Sequence, residues 1–337
     1  MKQNPFSLQY GRMPEWYVQR NDVPDQIIQS FESGQPAVKS CVVSGLRGMG
    51  KTVTLNSVSD YFRDKNWIVI SLNPYRDMLE SFGACLYHAL EADENKESSE
   101  YSRRKLNLRS NDIEMIDEQL LVRAIENYRQ VLITIDDIVY TDHVLAFFHF
   151  LNRISPEDYP LCILMSGLWQ NVSDSENDRI PAFVMRSKKV ILGMLDTDLM
   201  TEYYRQIFSV SRRTAARFTD ITFGYPYAFQ VLGYYIWEYP DDFLDNNQKR
   251  MNRHLREQVY RVILHEQKEQ DRKLLKSAAG LKYESRTPSA VRNAAGLSEK
   301  AYSSSAERLL SQSLIAFDED DGLMFFNLPG FSKAFEK

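Results

Sequence analysis

The chain has 337 residues, 43% of them hydrophobic and 26% charged, and a net charge of −5. These ordinary globular proportions exclude wholesale disorder and fibrous repeats, and the length predicts two or three domains. The acidic balance argues against a protein that coats nucleic acid by bulk charge.

Residues 4–21 hold Pro5, Gly11 and Pro14 among several aromatics and read as an irregular arm packed on the surface. A helical pattern with Ile27, Ile28 and Phe31 on one side follows, stopped by Ser33-Gly34-Gln35-Pro36. Residues 38–44 (VKSCVVS) are short, apolar and β-branched and predict a buried strand. After a glycine-rich turn at 45–50, Val53, Leu55, Val58 and Phe62 lie at helical spacing in 51–64. A second strand is predicted at 68–72 and a helix at 78–90 carrying Leu79, Phe82, Leu86 and Leu90. The polar stretch 92–111 breaks the pattern and reads as a solvated loop or a partner-binding loop. A helix at 112–129 then leads to a third strand at 131–135 (VLITI), closed by Asp136-Asp137. A helix at 144–154, a fourth strand at 161–165 ending in Ser166-Gly167, and a fifth at 188–192 complete the series. Strands alternating with helices imply parallel βαβ units.

From residue 196 the strand signals fade. Helices predicted at 198–208, 211–220 and 227–237, the last after Gly224-Tyr225-Pro226, form a small helical domain. A long polar helix at about 246–269 leads out of it. The last segment reads as helices at 274–279, 288–295 and 298–312, with Ser298 as N-cap. A hairpin at 314–317 and 323–327 follows, joined by Asp318-Glu319-Asp320-Asp321-Gly322. That order predicts a winged helix-turn-helix. The expected domains are a core with the N-terminal arm (1–195), a helical lid with its connecting helix (196–269) and the winged helix (270–337).

No apolar run of about 18 residues is present, so no membrane partner is expected. The opening residues lack an apolar signal core, which predicts a cytoplasmic protein. Cys41, Cys85 and Cys162 are isolated and odd in number; they predict buried small side chains in a reducing cytosol, without disulfides. The five histidines show no zinc spacing. From residue 247 onward basic groups outnumber acidic ones, whereas the rest of the chain is acidic.

The strongest motif is Gly45-Leu46-Arg47-Gly48-Met49-Gly50-Lys51-Thr52, which fits G-x-x-x-x-G-K-[ST] between an apolar strand and a helix. Its glycines let successive backbone N–H groups point at phosphate oxygens, and the helix start, through Val53, adds partial positive charge. Lys51 is placed to reach the β and γ phosphates of ATP, and Thr52 to offer its hydroxyl to Mg²⁺. The strand ending in Asp136-Asp137 delivers two carboxylates to the ligand-binding edge of an open α/β sheet. Asp136 is the candidate for Mg²⁺ and Asp137 for the base that polarises the attacking water. Ser166 is a candidate to meet the γ-phosphate or the water. Arg186 is a candidate arginine finger for a neighbouring subunit, and Tyr225 and Pro226 for a contact with adenine.

At these residues the chain resembles the AAA+ and STAND branches of the P-loop ATPases, and more narrowly prokaryotic ATPases that pair an initiator-like core with a C-terminal winged helix. The opening NPFSLQYGRMPEWYVQR is similar to the arm of that family. The resemblance implies an α/β fold with strand order 5-1-4-3-2, a helical lid, nucleotide between core and lid, and Arg20 near the base. Asp136-Asp137 departs from the family's Asp-Glu, which implies slow hydrolysis. Gly224-Tyr225-Pro226 is similar to the G-x-P signature of STAND switches. It implies a nucleotide-gated switch rather than a motor.

Two readings of the winged helix stand. In one it binds duplex DNA, with Lys300, Ser303, Ser304 and Arg308 reading or anchoring and Arg286 and Arg292 on phosphates. In the other it docks a protein partner or inhibits its own core, because the four carboxylates at 318–321 would repel a DNA backbone. A metabolic kinase is a third, weaker reading. A homo-oligomer is compatible with all of them.

Overall fold

The computed structural model describes residues 3–336 apart from 10–13, 15, 21, 34–38, 92–109, 128, 155–158, 160 and 173–180. Most of the polar stretch predicted as a loop at 92–111 lies outside the described residues. Two compact units emerge. One comprises Arg20–Ser44 and Lys51–Ile191, the other Met1–Gln19, Gly45–Gly50 and Leu192–Lys337.

The first unit is built on a parallel sheet. Helix α1 (Asp22–Glu32) buries Val23, Ile27, Ile28 and Phe31, the stripe its spacing predicts. The chain continues through β1 (Ser40–Ser44), α2 (Lys51–Asp64), β2 (Ile68–Leu72), α3 (Met78–Glu91) and α4 (Ser110–Glu126). It then forms β3 (Val131–Ile135), α5 (Asp142–Ile154), β4 (Leu161–Gly167), short helices α6 (Trp169–Val172) and α7 (Ala182–Arg186), and β5 (Lys188–Ile191). Every strand pair is parallel, in the order β2-β3-β4-β1-β5. Read from the other edge this is the expected 5-1-4-3-2. β3 and β4 are buried at every residue, as central strands of a parallel sheet must be. Phe82 of α3 packs against Phe147 and Phe150 of α5, with ring centroids 5.7 and 6.1 Å apart. The register pairs Ser44 with Gly167 and Ile135 with Met165, so β1 and β4 end level and β3 ends two residues earlier at the same edge.

In the second unit Asp196 and Ser211 cap α8 (Thr197–Phe208) and α9 (Arg212–Thr222) through N–H groups of Leu199 and Thr214. α10 (Pro226–Glu238) starts on a proline, as helices favour. α11 (Leu244–Leu255) runs through a π-helical turn (Arg256–Tyr260) into α12 (Arg261–Glu266). The long helix predicted as polar hides an apolar stripe of Met251, Leu255, Val259, Tyr260 and Ile263. It stops at Gln267, whose backbone is extended. α13 (Glu269–Gly280), α14 (Pro288–Ala295) and α15 (Glu299–Ser311) follow, then the antiparallel pair β6 (Ile315–Phe317) and β7 (Met324–Phe326). Thr287 and Ser298 cap α14 and α15.

Two expectations change. The N-terminal arm does more than cover a surface: Phe6 is buried among Phe208, Phe229 and Tyr204, its ring 5.5, 5.6 and 6.2 Å from theirs. Gly233 of α10 admits that ring, because a Cβ there would collide with it. Cys41 and Cys162 are buried, and burial pushes both thiols up to about 12, whereas Cys85 is exposed. The buried stripe of α3 runs through Met78, Phe82, Leu86 and Leu90, and position 85 falls at its margin.

Candidate functional site

The turn between β1 and α2 carries φ values of 152°, 78° and 91° at Gly45, Gly48 and Gly50. Gly48 is required twice over. Its φ is left-handed, and a Cβ there would collide with the Tyr225 hydroxyl and lie 2.7 Å from Tyr227 Cβ. Leu46 and Met49 are buried, and the Met49 N–H donates to the Leu46 carbonyl at 3.3 Å. Their buried side chains anchor the turn. The Tyr225 hydroxyl donates to the Arg47 carbonyl at 2.5 Å, and Arg47 Nε donates to Glu266 Oε1 at 2.6 Å. Burial raises the Tyr225 pKa well above its ordinary value, so the hydroxyl remains a donor. Pro226 opens α10 beside it. Lys51, Thr52 and Val53 form the first turn of α2, the end at which a helix directs backbone N–H groups outward.

The strand ends of the first unit bring together Thr52, Asp136, Asp137 and Ser166. Thr52 Oγ1 donates to Asp136 Oδ2 at 2.7 Å. The Ser166 hydroxyl donates to Asp136 Oδ1 and accepts the Asp137 N–H at 2.9 Å. Ser166 is fully buried. Its hydroxyl, expected to meet a phosphate or water, here bridges the two aspartates. The Ile138 N–H closes the loop onto the Ser166 carbonyl at 2.8 Å. Asp137 has φ 55°, the left-handed region that Asp enters more readily than longer side chains do.

Among the described residues no group of three or more His, Cys, Asp or Glu is placed to hold a metal ion. The sparse oxygen pair of Thr52 and Asp136 suits Mg²⁺, which keeps waters and substrate phosphates in the rest of its shell. Arg20 precedes α1 and is half-buried; desolvation pulls its pKa below the ordinary value, against the pull of Asp22. Arg186 ends α7 at the surface and donates to Asn152 Oδ1 at 3.3 Å.

The C-terminal residues expected to face DNA divide. Lys300 and Ser303 are exposed and Ser304 half-buried on α15. Arg308 is not available for reading bases. It is buried and bonds both oxygens of Asp271, at 3.1 and 2.8 Å, and Ser305 at 3.2 Å. Its position on α15 faces α13 rather than solvent. Arg286 lies against the Phe326 ring (5.1 Å) and donates to the Leu281 carbonyl, while Arg292 sits 3.9 Å from Glu299. Sequence reasoning missed Glu266 and the Tyr225 hydroxyl, which no local motif marks.

With a glycine turn leading into Lys-Thr and an Asp pair directly after a nearby strand, the chain has the sheet order 5-1-4-3-2 that the sequence led us to expect and is similar in fold to a solved Walker-type ATPase. The chain superposes on a Walker-type ATPase of Pyrococcus abyssi with a TM-score of 0.65 at 14% identity, covering 95% of this chain and 98% of that one. Two looser neighbours are Cdc6 of Pyrobaculum aerophilum (TM-score 0.42, 11% identity, 95% and 97% covered) and a STAND protein with a tetratricopeptide repeat sensor from Pyrococcus horikoshii (0.43, 17%, 98% and 44%). Those two superpose too loosely to bear on the fold. No protein-family model matches the chain, and no curated protein matches its sequence.

Proposed function

We propose that the protein is an ATP-dependent switch that binds Mg·ATP at residues 45–52 and hydrolyses it slowly to ADP and phosphate. The observation that carries this reading is the 2.7 Å bond between Thr52 and Asp136, the residue pair that would share Mg²⁺. The backbone N–H groups of the turn bind phosphate oxygens, and Lys51 adds a charge-assisted contact. Mg²⁺, when bound, neutralises developing charge on the phosphates. Asp137 accepts a hydrogen bond from the attacking water and orients it. Its side chain is one methylene shorter than Glu, which supports slow turnover. The likeness to a Walker-type ATPase supports hydrolysis as the reaction class. In this reading residues 196–269 are the lid, Tyr225 and Pro226 approach the base, and Arg20 sits near it. Arg186 is then the residue one copy presents to another, and the free cysteines fit a cytoplasmic setting.

The test is turnover and Mg·ATP binding in two variants. Asp137→Ala should retain binding and lose hydrolysis by about a hundredfold or more. Asp136→Ala should weaken binding only when Mg²⁺ is present. Wild-type turnover in Asp137→Ala would place the base elsewhere.

For residues 270–337, read as a winged helix, the buried Arg308 favours docking to a protein over reading DNA. The exposed Glu299 and Glu307 on α15 and the acidic hairpin tip support this choice. The local excess of basic charge supports duplex DNA as the second reading. A DNA binder loses affinity steeply between two salt concentrations, whereas absent or salt-insensitive binding supports the protein partner.

A further inference from the structure

We infer that Tyr225 is a positioning residue for the phosphate turn through the Arg47 carbonyl, and that Glu266 competes with phosphate for the Arg47 guanidinium. They thereby couple the turn to the junction that carries the C-terminal helices. The inference rests on the proposed nucleotide site and goes beyond it by assigning residues outside the motif.

Arg47 is the third residue of an eight-residue phosphate motif, and two of its polar groups reach residues far outside that motif. Its carbonyl accepts the Tyr225 hydroxyl at 2.5 Å, and its guanidinium donates to Glu266 at 2.6 Å. The Tyr225 hydroxyl thus fixes the orientation of the peptide that follows Arg47. The same tyrosine, fully buried, fills the space that a Cβ on Gly48 would need. The turn therefore has one arrangement beside Tyr225, and binding an anion there requires little reorganisation.

Glu266 stands at a particular point of the chain. It is the last residue of α12, and Gln267 leaves the helix with extended backbone before α13 begins at Glu269. The junction is incompletely bonded. Gln267 is buried and its Nε2 donates to the Ile263 carbonyl, but its Oε1 has no hydrogen-bond partner. The Arg47–Glu266 pair straps this weak point to the phosphate turn. Phosphate arriving at the turn competes with Glu266 for the Arg47 cation. By linkage, whatever displaces Glu266 must then alter nucleotide affinity in return.

The test uses the full chain with two conservative variants. Glu266→Gln should speed backbone hydrogen exchange at residues 263–271 by about three- to fivefold in nucleotide-free protein, the scale of a partly exposed ion pair. It should also tighten Mg·ATP binding by a similar factor, because the counter-charge on Arg47 is gone. Tyr225→Phe, which removes only the hydroxyl, should weaken Mg·ATP binding while leaving that exchange unchanged. The reversed pair, Arg47→Glu with Glu266→Arg, should restore the slow exchange. Unchanged exchange in Glu266→Gln, or fast exchange in the reversed pair, overturns the strap. Failure of the wild-type chain to bind Mg·ATP overturns the functional reading instead, and the exchange measurement distinguishes the two.

Discussion

Asp137 illustrates how a single residue type follows from backbone geometry. Its φ of 55° and its N–H bond to Ser166 hold the chain in a tight left-handed bend directly after β3. Asp accepts that conformation more readily than Glu, which gives a structural reason for the shorter carboxylate. His254 offers a second residue-scale consequence. It lies against Tyr227, whose hydroxyl donates to the Leu8 carbonyl and so accepts from His254 Nε2 at 3.0 Å. Burial lowers the His254 pKa from 6.5, against the pull of Glu257. The neutral ring is therefore favoured by folding. Its contribution to stability is complete above pH 6.5 and declines as pH falls through the lowered folded value. The thermal midpoint should fall between pH 7.5 and 5.5, and His254→Gln should reduce that fall; an equal fall in both proteins would assign the effect to other groups. The motif residues were legible because phosphate binding demands a local pattern. The Ser166 bonds, the Glu266 pair and the exposure of Cys85 were not, since each depends on what another element brings alongside.

At the scale of elements, apolar spacing located every strand of the sheet, because buried strands are short and rich in β-branched residues. Caps did the same for α15, where Ser298 accepts the Ala301 N–H. The helix at 244–266 was harder to read. Its buried stripe crosses a π-helical turn, which shifts the spacing that a regular helix would show. Arg308 was misleading for another reason: a charged residue beside other charged residues on a helix reads as solvent-facing until its buried partner is known. Asp271 on α13 and Arg308 on α15 form an ion pair with side chains 1% and 9% exposed. Removing one partner of such a pair strands the other charge. Asp271→Asn should thus destabilise the C-terminal segment by about 3 kcal/mol, whereas replacing both residues by apolar ones should be far milder. Denaturant unfolding of the two variants checks this, and equal losses would mean that the cost comes from losing the pair itself rather than from a stranded charge.

For the whole molecule, the 5-1-4-3-2 order was legible only through the resemblance that the phosphate motif brought with it; periodicity alone predicts parallel strands but not their sequence. The arm was misplaced because Phe6 looks like any aromatic of an irregular segment until its partners on α8 and α10 are seen. A nucleotide switch also makes a claim about the whole chain, since a ligand shifts a conformational equilibrium only by its differential affinity for the two states. ATP, more than ADP, should therefore alter hydrogen exchange across residues 288–312, and identical protection in all states would leave an ATPase without a switch. Everything rests, however, on Mg·ATP entering the motif at residues 45–52. The most direct measurement is Mg·ATP affinity of the wild type and of Lys51→Ala, each with and without Mg²⁺, with folding checked by thermal unfolding. The account predicts Mg²⁺-dependent binding that falls by about ten- to a hundredfold in a folded Lys51→Ala, the worth of one charged hydrogen-bond donor. Equal affinity in the two folded proteins would contradict it.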